Sequence, residues 1–186
     1  MRDDLHKGVA LPRPWKKAVR ACLRPADEGQ RSRSFVSQAL ENELQGSVTK
    51  RGLDQIRRAC ESPSLPFQDN SGTVFGSKNV NELSVTERRL LELAKPRLER
   101  GDCATVAQAI RSSLADLAKE RLSARKNQAE TQLMKANPGQ ANEALAAMRK
   151  NFQADLPEVV DRILKTDGID PVPSSSLKID PDEDLR

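Results

Sequence analysis

Apolar positions recur at helical spacing along most of this chain. Trp15, Val19 and Cys22 or Leu23 fall at three- and four-residue intervals after Pro14. That spacing predicts a helix starting near the proline, whose missing N–H would have had no partner at a first helical position. Pro25 and Gly29 end the pattern. Val36, Leu40 and Leu44 then follow at i, i+4 and i+8, one face of a second helix, with the hydroxyls of Ser32 and Ser34 offered as caps. Val36-Ser37-Gln38-Ala39-Leu40 with Leu44 has an echo 70 residues later, in Val106-Ala107-Gln108-Ala109-Ile110 with Leu114. A repeat at a fixed offset points to one structural unit used twice.

The remaining elements follow from the same reading. Residues 8–12, GVALP, suit a short extended segment with Val9 and Leu11 on one face, and Leu83 and Val85 suit a second. Leu53, Ile56 and Cys60 predict a short helix. The run ESPSLPFQDNSGTVFGS is punctuation rather than core and reads as a linker. A helix over 87–99 carries Leu90, Leu91, Leu93, Ala94 and Leu98, with a kink or interruption expected at Pro96. After a turn at 100–105, Thr105 caps a helix with Ile110, Leu114, Leu117 and Leu122 on one side, which becomes polar over 124–132 and so projects or finds a partner. Asn137-Pro138-Gly139 ends that region, and two helical stretches, 140–152 and 157–165, come next. The expected organisation is mainly α: a first unit at 1–60, a linker at 61–79, a second unit with a long helix at 80–136, a helical extension at 137–167 and a disordered acidic tail at 168–186.

VALP, a helix with one apolar face, a glycine-containing turn and then SRSFVSQAL together resemble the ribbon-helix-helix family of bacterial and phage DNA-binding proteins. Residues 7–45 carry the match, and residues 80–118 repeat it more loosely. The resemblance implies two ribbon-helix-helix-like units, pairing of short strands within one chain or between two copies as a homodimer, and a phosphate held at the start of the second helix by Arg31, Ser32, Arg33 and Ser34. Lys7, Arg13, Lys16 and Lys17 would add electrostatic attraction. The outward strand positions hold His6, Gly8 and Ala10 in one copy and Glu82 and Ser84 in the other. These are not the side chains that match base edges, so phosphate contact, which positions without specifying, is what remains. The implied function is a repressor, an autoregulating antitoxin or an accessory protein of plasmid or phage DNA processing, with a protein partner on the C-terminal helices. The rival reading, favoured by those poor strand faces, is a helical adaptor or assembly protein of a phage or secretion system with no nucleic-acid role.

Composition adjusts this picture in two ways. Leu, Ile, Val and Phe number 41 of 186 residues, only just above the level at which disorder becomes the default, so some segments pack poorly. The net charge of +4 hides an asymmetry, for residues 1–60 carry +6 and residues 154–186 carry −5. A basic front half attracts polyanions, and an acidic tail covers that surface or meets a basic partner. Solvated helix faces explain the same charges.

The sequence offers no catalytic constellation, and no enzyme is expected. His6 is the single histidine, and no glycine-rich phosphate loop is present. Neither a cofactor nor a metal is implied. Cys22, Cys60 and Cys103 are sparse and widely spaced, as in a cytoplasmic protein with reduced thiols. No apolar run reaches membrane-spanning length, and MRDDLHKG lacks a secretory apolar region. Trp15 and Phe35 are expected to be core anchors.

Overall fold

A computed structural model describes residues 10–23, 29–61 and 83–166. Among these, six helices and no strand occur: α1 (Arg13–Cys22), α2 (Gly29–Gln45), α3 (Lys50–Glu61), α4 (Val85–Arg100), α5 (Val106–Ala136) and α6 (Pro138–Thr166). The mainly helical expectation holds for these residues. They divide into two compact units, the first built from the described residues within 1–46 and 117–159, the second from those within 47–116 and 160–186. Helices α5 and α6 therefore each contribute one segment to each unit.

In the first unit α1 packs against α2. Trp15, Ala18, Val19 and Cys22 of α1 are buried, as are Val36, Ala39, Leu40 and Leu44 of α2. From the long helices, Leu122, Ala129, Ala141, Leu145, Met148 and Phe152 are buried too. Each fully buried Leu-sized side chain contributes about 1.5–3 kcal/mol, so these apolar stripes hold the unit together. Polar cross-links fix its register. Trp15 Nε1 donates to Glu43 Oε2 at 3.1 Å, while Arg125 grips both oxygens of that carboxylate at 3.0 Å. Ser37 Oγ donates to Asp155 Oδ2 at 2.5 Å. The polar stretch expected over 124–132 is thus held within the first unit, through Arg125 and the small buried Ala129, rather than projecting.

The second unit packs α3 against α4, with Leu53, Ile56, Leu90, Leu91, Ala94, Ile110, Leu114, Val160, Ile163 and Leu164 buried. The repeated segment is visible here as burial: Ala39, Leu40 and Leu44 of the first unit, and Ala109, Ile110 and Leu114 of the second, are all at most 4% exposed. Arg111, on the same segment, is wholly buried and places Nη2 at 2.5 Å from Asp161 Oδ1 of α6. Arg97 and Asp116 form a second ion pair.

A capping box begins α4. Ser84 Oγ accepts from Glu87 N at 3.1 Å, and Glu87 Oε2 accepts from Ser84 N at 2.8 Å. Glu87 also reaches beyond its own helix, for its Oε1 accepts from both N and Oγ1 of Thr49 at 2.8 Å. Burial pushes this carboxyl up, but the hydrogen bonds from Thr49 and Ser84 outweigh it and hold Glu87 below its ordinary pKa. The approach requires Gly52, because a Cβ there would overlap the Glu87 carboxylate. Gly52→Ala is therefore expected to destabilise the protein by about 2 kcal/mol in urea unfolding. Alanine's helical advantage of roughly 0.5–1 kcal/mol is outweighed by loss of hydrogen bonds to a charged group, worth about 1.5–3 kcal/mol. A depressed folded pKa gives stability that is full above the unfolded value of about 4.3 and is lost as pH falls through the folded value. The gap between wild type and Gly52→Ala is accordingly expected to narrow below pH ~4, and a gap independent of pH would refute this role for Glu87.

The structure corrects four expectations. Residues 10–12 are not a strand, and residues 8 and 9 lie outside the described residues. Leu83 and Val85 do not form an extended segment: Ser84 is the N-cap, and Val85 opens α4 with its side chain 77% exposed. The S-x-x-E cap wins there because it satisfies backbone donors that an isolated strand would leave open. Helix α2 begins at Gly29, so Ser32 and Ser34 occupy helical positions and are not its caps. Finally, α6 runs unbroken through Pro157 where two stretches were expected, and at Pro96, where a kink or an interruption was expected, α4 continues without interruption. In both cases the residue four positions earlier, Glu92 or Gln153, is exposed, so water can take the carbonyl that proline leaves without a donor. Buried Leu156, Val159 and Val160 flank Pro157 and offset its cost of about 3 kcal/mol.

The expected turn after α4 is present. Gly101 adopts a left-handed φ of 73°, and Asp102 N donates back to Arg97 O at 2.8 Å. Thr105 Oγ1 accepts from Gln108 N at 3.1 Å, as a cap of α5 should. The expected linker at 61–79, apart from Glu61, and the expected tail at 168–186 lie outside the described residues.

Candidate functional site

Helix α1 buries one side and leaves the other to solvent. Because Trp15, Ala18, Val19 and Cys22 face the core, Arg13, Lys16, Lys17 and Arg20 fall together on the exposed face at i, i+3, i+4 and i+7. With Ala21, and with Phe35 from α2, they line an open cleft of ≈ 410 Å³. Lys17 Nζ lies 4.6 Å from the centroid of the Phe35 ring, a cation–π contact. None of the four cations forms an ion pair with a described residue, and α1 has no acid in its first turn.

This grouping is unfavourable to the isolated helix. Arg13 with Lys17, and Lys16 with Arg20, are like-charge i, i+4 pairs, each destabilising by about 0.2–0.5 kcal/mol. Arg13 and the lysines also sit towards the positive end of the helix dipole. A bound anion would relieve both effects. Among the described residues, the cleft gathers cations and no acid.

Of the residues singled out in the sequence, Arg13, Lys16 and Lys17 are brought together here. Lys7 lies outside the described residues. Arg31, Ser32, Arg33 and Ser34 are in the first turns of α2, directly before Phe35, and their side chains lie outside the described set. Arg20 and Phe35 were not foreseen as site residues. Arg20 completes the ladder begun by Arg13, Lys16 and Lys17 and was legible from spacing alone. Trp15 is the expected core anchor at 2% exposure, whereas Phe35 is only half-buried and lines the cleft. It sits one residue before Val36 and so at the edge of the apolar stripe of α2.

All three cysteines are buried free thiols; burial raises Cys22, and it pushes Cys60 up to about 11 against the opposing influence of the Lys95 ammonium. Among the described residues, no group of three or more His, Cys, Asp or Glu is arranged to hold a metal ion, and no helix is long and apolar enough to cross a membrane. No protein-family model matches the chain, and comparisons with curated proteins and with solved structures find no match.

Proposed function

We propose that this is a DNA-associated protein of regulatory or accessory type, such as a repressor, an antitoxin or a helper of plasmid or phage DNA processing, and that it holds backbone phosphates on the basic face of α1. The observation that carries this reading is the ladder of Arg13, Lys16, Lys17 and Arg20, which no described acid neutralises, together with Phe35 of α2 in the same cleft. At 1.5 Å per residue the ladder spans about 10 Å, roughly three nucleotide steps along one strand at 3.4 Å each. The ribbon-helix-helix resemblance of residues 7–45 is carried by their sequence. Such a contact tracks phosphates and leaves sequence unread.

The helical-adaptor reading has less in its favour. The apolar face of α6 over Ala141, Ala144, Leu145, Met148 and Phe152 is already buried. The exposed large apolar side chains among the described residues are Val85 and Met134, one in each unit, and single exposed side chains do not make a docking patch. A protein partner on the C-terminal helices would meet their polar faces.

The test compares wild type with Arg13→Ala/Lys16→Ala/Arg20→Ala on short duplexes of unrelated sequence. The expected result is binding by wild type and a uniform loss across all sequences in the triple variant, as phosphate contacts require. Helicity should not fall, since all three side chains are exposed and their mutual repulsion is removed. Wild type that binds no duplex at low salt would overturn contact with duplex DNA.

A further inference from the structure

The cleft contains more than positive charge. A phosphate track needs only cations, yet here the ladder turns around an aromatic ring that is half-buried and opens into the cleft. We propose, resting on the DNA reading above, that the cleft takes single-stranded DNA, with one base stacked on Phe35 and the neighbouring phosphates held by Arg13, Lys16 and Arg20.

Magnitudes favour this arrangement. Lys17 now occupies the space over the ring, in an exposed cation–π contact worth about 0.5–1 kcal/mol. A stacked base contributes about 1–3 kcal/mol on an aromatic platform, so exchanging ammonium for base is favourable. The displaced ammonium sits on a flexible four-carbon stem and can turn to a phosphate. Lys17 thus covers the ring in the free protein and becomes a fourth phosphate contact in the complex. The volume of ≈ 410 Å³ lies at the small-molecule end of the roughly 300–1,000 Å³ range for ligand pockets, which suits a single nucleotide. Base faces are hidden within a duplex and free only in a single strand. Because every base has such a face, the cleft tolerates any sequence, in keeping with a site that offers cations and one ring.

The experiment measures anisotropy of a labelled oligothymidylate and of a duplex of equal length with the full chain, as wild type, Phe35→Leu and Phe35→Trp. The inference expects tighter binding of the single strand. Phe35→Leu should weaken oligothymidylate binding roughly five- to hundredfold while leaving duplex binding unchanged. Phe35→Trp should keep single-strand affinity, and its indole emission should be quenched on binding, a signature of stacking that a loss of packing would not produce. Equal affinity of wild type and Phe35→Leu for oligothymidylate, or no change of emission in Phe35→Trp, would overturn the stacked base and leave the phosphate reading intact. Binding to neither probe at low salt would remove both.

Discussion

Asp161→Ala is expected to lower stability by about 3 kcal/mol in denaturant unfolding. Its partner Arg111 is wholly buried on α5, and the Asp161 side chain is 21% exposed, so the carboxylate reaches an interior guanidinium that water does not. Removing one member of such a pair takes compensation from the other charge in a poor solvent, a loss that costs about 3–5 kcal/mol when complete, and the partial exposure of Asp161 together with the other interactions of Arg111 places the expected value at the lower end. The same physics expects a contrasting result for Arg111→Met/Asp161→Leu, which removes both charges and leaves apolar side chains in their place. That protein should lie within about 1 kcal/mol of wild type or above it. A double variant as unstable as the single one would show that the pair's attraction, rather than avoidance of a stranded charge, dominates the site.

Trp15→Ala should be the most damaging single change in the first unit, with an expected loss of about 3–5 kcal/mol. Trp15 is 2% exposed and forms the footing of α1, and its indole N–H is one of the donors that hold Glu43. Trp15→Phe separates the contributions, because it keeps most of the ring volume while removing the donor, and should lose about 1 kcal/mol. The site should suffer with the fold. Arg13, Lys16, Lys17 and Arg20 share one face only while α1 stays docked, so Trp15→Ala should weaken polyanion binding in proportion to its loss of structure. The exposed-face triple variant should instead weaken binding with its unfolding midpoint unchanged or slightly raised, because it removes both like-charge pairs. If Trp15→Ala unfolded at the wild-type midpoint, the packing of α1 through its indole would be wrong.

The local features were legible because their causes are local. The spacing of Trp15 and Val19 gave the inward side of α1, and it thereby gave the outward side on which the cations fall. The Val36 and Val106 segments were recognisable as equivalent, and they share burial at three paired positions. Thr105 as a cap and Gly101 in the turn follow from chemistry within a few residues. What escaped was decided elsewhere in the chain. The alternation of Leu83 and Val85 suggested a strand, but Ser84-Val85-Thr86-Glu87 is also a capping pattern, and Thr49, 38 residues away in sequence, reinforces it. Whether the polar stretch over 124–132 projects or finds a partner stayed open in the sequence, because Glu43, which Arg125 grips, lies 82 positions before it. Pro157 looked like a helix break because its local cost is visible and the burial on either side of it is not. Phe35 had the composition of a core residue, and only the packing of α2 on α1 leaves its ring at the cleft. Lys7 and the side chains of Arg31, Ser32, Arg33 and Ser34 fall outside the described residues, so the full extent of the basic surface rests on the sequence.

The most direct test of phosphate holding by α1 is the salt dependence of DNA binding. Wild type and Arg13→Ala/Lys16→Ala/Arg20→Ala should each give a straight line when log affinity is plotted against log salt, with a slope near −0.9 for each phosphate neutralised. With three fewer phosphates neutralised, the triple variant's slope should be shallower by roughly three on a duplex and by about two on a single strand, where the coefficient is nearer −0.7. Parallel lines for the two proteins would contradict the assignment, because they would mean that these cations release no counterions and that the basic face of α1 is not where DNA sits.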